Sequence, residues 1–97
     1  MSNGVTGSKE KSKIFETVFS SPGMSEKCKI SMHISRQNII LLGRLIEFGV
    51  LSAEKSSFND EILSALPKES LEDFKMIREE MLKKADLTEF YERLKTL

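Results

Sequence analysis

Lys27, Lys29, Ser31 and His33 recur at every second position, with Cys28, Ile30, Met32 and Ile34 between them. Ammonium, hydroxyl and imidazole groups donate to phosphates and to base edges, so a surface carrying them suits nucleic acid. The charge of His33 depends on its surroundings. Catalytic chemistry has less support. One histidine and one cysteine rule out the usual His/Cys zinc patterns. There is no glycine-rich phosphate loop and no nucleophile elbow. Asp60 and Glu61 stand where helix capping explains them. The expectation is a non-enzyme without metal or cofactor.

Strict alternation over 27–34 predicts a strand with one polar and one apolar face. A lone strand leaves its backbone groups unpaired, and no second strand follows in the chain. The simplest partner is the same strand of a second copy, in a two-fold antiparallel ribbon. Ser35 then offers an N-cap. Ile39, Leu42, Leu45 and Ile46, flanked by Ile40, Leu41 and Phe48, form the wide apolar face of a helix that Gly49 should end. After a connection over 50–56, Ser57 with Asp60 resembles a capping box. Phe58, Ile62, Ala65 and Leu66 share one helical face, and Pro67 stops that helix. Ser70 with Asp73 starts another, striped by Leu71, Phe74, Ile77, Met81 and Ala85. A break or new cap is expected at 86–89, followed by Phe90, Tyr91, Leu94 and Leu97. The first 25 residues read as a flexible basic arm with Lys9, Lys11 and Lys13. Within it, Ile14-Phe15 and Val18-Phe19 suit a short helix.

The order of a basic alternating strand, a serine-capped helix and a second helix resembles the ribbon-helix-helix family of DNA-binding proteins, the Arc and MetJ repressor type. The residues carrying the resemblance are 29–34 for the ribbon, 35–49 for the first helix and 57–66 for the second. The connection between the helices is longer than the family's tight turn, and basic residues around the ribbon are sparse. The resemblance implies a mainly α fold with one short strand: a dimer built on an intermolecular antiparallel ribbon, with additional C-terminal helices. Residues 26–67 would be the DNA-binding domain and 68–97 a helical extension. Lys29, Ser31 and His33 would reach base edges in the major groove. Lys27, Arg36, Ser56 and Ser57 would meet phosphates, the serines at a helix N-terminus. Ile30, Met32, Ile34, Ile39, Leu42, Leu45, Ile46, Phe58, Ile62 and Leu66 would form the dimer core. Such a protein would be a homodimeric repressor or regulator of transcription. Its partners would be double-stranded DNA, its own copy and a second protein at the C-terminal helices. The alternative is a small helical protein–protein interaction module, of antitoxin or mobile-element accessory type, without direct DNA readout.

Composition bounds both readings. The chain has 97 residues, with 15 basic and 15 acidic side chains. Residues 1–44 hold seven basic and three acidic residues, a net +4; residues 45–97 hold eight and twelve, a net −4. The zero is therefore a sum of two unlike halves. No stretch is long and apolar enough for a membrane span, the N-terminus lacks a signal-peptide core, and one cysteine suits a reducing compartment. A cytoplasmic protein without membrane contact is expected.

Overall fold

The computed structural model of the chain describes residues 3–55 and 58–97, with side chains from Lys11 onward. Five helices follow in order: α1 (Asn3–Phe19), α2 (Arg36–Glu54), α3 (Glu61–Ser64), α4 (Lys68–Lys84) and α5 (Thr88–Leu94). The main packing is α2 along α4, with α1 against α3 and α5 folded onto α4. No helix among the described residues is long and apolar enough to cross a membrane.

The expected β-ribbon is not there. Among the described residues there is no strand, and the molecule is all-α. Residues 27–34 carry no regular secondary structure, and they make no backbone–backbone hydrogen bond with any described residue. A strand needs a neighbour to pair with, and among the described residues there is none. The side chains meant for a buried face, Cys28, Ile30 and Met32, are exposed; only Ile34 is half-buried. The segment lies beside α4: Lys27 and Cys28 share a hollow with Met76, Ile77 and Met81, and Ile30 and Ile34 share another with Met81 and Ala85.

Ser35 caps α2 as its sequence position suggests, accepting a hydrogen bond from the Asn38 amide at 3.1 Å. Gly49 does not end that helix. α2 runs five residues further, through Val50 and Leu51, because a glycine inside an apolar run only weakens a helix that tertiary contacts hold. Val50 is buried, which supplies such a contact. At α3 the cap is Asp60, whose carboxylate accepts from the Leu63 amide at 2.9 Å; Ser57 lies outside the described residues. α4 starts at Pro67, whose carbonyl accepts from the Ser70 amide, so Ser70 stands inside the helix. Glu69 in its first turn and Lys83 and Lys84 in its last complement the helix dipole.

The turn between α4 and α5 seals the core. The Leu87 amide donates to the Leu82 carbonyl at 2.8 Å, and the Asp86 amide to the Lys83 carbonyl at 3.0 Å. This pair of bonds is a Schellman motif, with Asp86 in the left-handed region at φ 59°. The accompanying apolar contact is Leu82 with Leu87. These two residues and Tyr91 form the buried cluster, with Ile39, Ile40 and Ala85 packed on it. On α2, Gly43 faces this cluster. A Cβ built there would stand 3.5 Å from Arg78 Cγ and 3.8 Å from a Leu82 methyl, so α2 and α4 approach closely at this point.

Because Asp86 pays for a left-handed backbone that glycine adopts freely, Asp86→Gly should raise stability by about 0.5–1 kcal/mol. Asp86→Val should lower it by about 1–2 kcal/mol. Urea midpoints of the three proteins check this; equal midpoints would show that the turn does not hold the α4–α5 junction.

Candidate functional site

α2 is apolar on two opposite sides. Ile39, Gly43, Ile46 and Val50 lie on the side facing α4 and are buried or half-buried. Leu41, Leu45 and Phe48, at spacings of four and three, form a stripe on the opposite side. They remain 52%, 68% and 65% exposed. Leu42 and Leu51 flank them and are also exposed, and Asn38 and Ser52 stand one turn beyond either end. From Leu41 to Phe48 the stripe itself carries no charge. Its neighbour Arg44 turns aside, with its guanidinium 3.3 Å from the Glu47 carboxylate.

Glu47 fixes which side of α2 faces inward. The Tyr91 hydroxyl donates to its Oε1, and Lys95 Nζ donates to Oε2 at 2.9 Å. Arg78 NH1 lies 3.9 Å from Oε2. Burial alone would raise the pKa of this carboxyl. The hydrogen bonds from Tyr91 and Lys95, and the charges of Lys95 and Arg78, outweigh burial and hold it at about 2, below the ordinary 4.5. The Tyr91 hydroxyl is pushed up, first by burial and then by its bond to Glu47. Lys95 is raised mainly by its bond to Glu47, and its ammonium also lies 5.4 Å from the centre of the Tyr91 ring. One carboxylate thus ties α2 to α4, α5 and the C-terminal residues. With both oxygens engaged, it works as a structural clamp. Among the described residues, no three His, Cys, Asp or Glu side chains gather as a metal-binding group.

Without a ribbon, the residues expected to meet DNA have no paired β surface to stand on. Lys27, Lys29, Ser31 and His33 are exposed along one segment without regular structure, and Arg36 is exposed at the first turn of α2. Ser56 and Ser57 lie outside the described residues. Of the expected dimer core, Ile39 packs on the Leu82 cluster and Ile46, Phe58 and Leu66 are half-buried. Ile30, Met32, Leu42, Leu45 and Ile62 are exposed. Sequence reading passed over Glu47, Arg78, Tyr91 and Lys95 as a group. The single trace of it is an acid interrupting the apolar side of α2 that also holds Gly43 and Val50.

Compared with protein-family models, curated proteins and solved structures, the chain matches none.

The folded-state pKa of Glu47 lies below its ordinary value, so its stabilisation is complete above about pH 4.5 and lost as pH falls toward 2. Glu47→Gln should flatten the loss of stability over that window and cost about 1–3 kcal/mol at pH 7. Tyr91→Phe should cost about 1–2 kcal/mol by removing one donor. Thermal melts from pH 2 to pH 7 check both. A parent and a Glu47→Gln variant with the same pH dependence would show that the clamp does not carry it.

Proposed function

We propose that this protein is a small helical protein–protein interaction module. One observation carries the reading: α2 has two apolar sides, and the chain covers one of them. The exposed stripe resembles the inner one in residue type and lacks charge, which is what a helix in a partner's groove presents. Moving such half-exposed side chains fully out of water is worth about 1–2 kcal/mol each. Association itself costs about 4–15 kcal/mol, so the contact must extend beyond the three central residues, and Leu42 and Leu51 are placed to extend it. The single cysteine, Cys28, is an exposed free thiol, which suits the reducing cytoplasm as the working compartment.

A photo-reactive amino acid at Leu45 tests this reading in cells that make the protein. Discrete polypeptide adducts are expected there and not at Glu80, an exposed position on α4 outside the stripe. No adduct at Leu45 above the Glu80 control would end the reading.

A second reading, double-stranded DNA, rests on a different observation. Lys27, Lys29 and His33 are exposed on the 26–35 segment, with Arg36 and Lys84 beside them. Binding through these groups should weaken steeply with salt, and Lys29→Glu should weaken it further. Anisotropy of a labelled duplex measures both; no binding at about 50 mM salt would remove this reading.

A further inference from the structure

We infer that the outer stripe of α2 is covered by the same stripe of a second copy, in an antiparallel helix pair about a two-fold axis near Leu45. The inference rests on the interaction-module reading and names its partner.

Surface area points to a missing neighbour. The molecule exposes 8231 Å². A compact monomer of its mass, 11.0 kDa, exposes about 5,600 Å². The radius of gyration is 16.5 Å, whereas a compact 100-residue domain has about 13 Å. A stable dimer removes about 800 Å² from each partner, and obligate ones more. The excess surface is large enough for such an interface, and the α2 stripe contributes three large apolar side chains to it, each more than half exposed.

Spacing and the helix dipoles select the arrangement. Leu41 and Phe48 lie about evenly on either side of Leu45, so an antiparallel crossing sets Leu41 against the partner copy's phenyl ring and Leu45 against its own equivalent. That is the self-complementarity a two-fold contact requires. α4 runs antiparallel to α2, since Lys75 bonds Glu54 at 3.1 Å while Leu82 approaches Gly43. An antiparallel pair also opposes the two helix dipoles favourably. A parallel pair would set like ends together.

Sedimentation of the full chain from about 1 to 200 µM tests the pairing, a range suited to a contact of this size. A dimer is expected. Leu45→Asp should raise the dissociation midpoint at least about tenfold with unchanged helical circular dichroism, because it buries a charge at the axis and leaves the α4-facing side intact. A monomeric parent at every concentration, or a Leu45→Asp dimer as tight as the parent, would overturn the inference. Orientation is read in a Cys28→Ser background. Leu41→Cys and Phe48→Cys chains should form a mixed disulfide when combined and none when oxidised separately; efficient bonding of either chain alone would overturn the antiparallel arrangement. The photo-adducts at Leu45 separate the two levels. Adducts at twice the chain mass support self-pairing. Adducts with other polypeptides alone overturn self-pairing and leave the module reading intact, and no adduct at all removes both.

Discussion

Helix α2 offers apolar side chains on two opposite sides, and among the described residues its main neighbour is α4. Hydrophobicity alone does not say which side should turn inward, because Leu41, Leu45 and Phe48 would bury as well as Ile39, Ile46 and Val50. Glu47 decides. It lies on the Val50 side, and only with that side inward does its carboxylate reach the Tyr91 hydroxyl and the Lys95 ammonium. Gly43 on the same side adds a steric reason, since it lets Leu82 approach the α2 backbone. Polar contacts of this kind add modest net stability but strongly favour one arrangement over its alternatives.

Once that choice is made, the rest of the molecule follows. Tyr91 is held at the α2 surface, so α5 must fold back, and the left-handed Asp86 supplies the reversal. Leu82 and Leu87 meet as a consequence of the turn, and the small core closes on them. The other side of α2 is left to solvent or to a neighbour. The same residue that organises the fold thereby also defines the surface available for interaction.

Local signals in the sequence suffice where a few adjacent residues decide the structure. Ser35 caps α2; Leu71, Phe74, Ile77 and Met81 lie within α4 with Ala85 at its C-cap; and the helix breaks at 85–87, where the signal at 86–89 begins. Signals whose meaning depends on distant parts of the chain do not. The alternation over 27–34 predicts a paired strand, but among the described residues the segment forms no strand and has no pairing partner. Gly49 looked like a helix end and is not one, because Val50 finds a buried site beyond it. The Glu47 clamp joins residues 44 and 48 positions apart. No spacing rule reaches that far, and without the fold Glu47 reads as a surface charge.

The chain contains no tryptophan, so Phe48→Trp places a single reporter at the centre of the claim that the outer side of α2 is covered. Its fluorescence should be blue-shifted at high protein concentration and move to the red on dilution, as the stripe leaves an apolar contact for water. Red emission, unchanged at all concentrations, would contradict self-association through this side of α2.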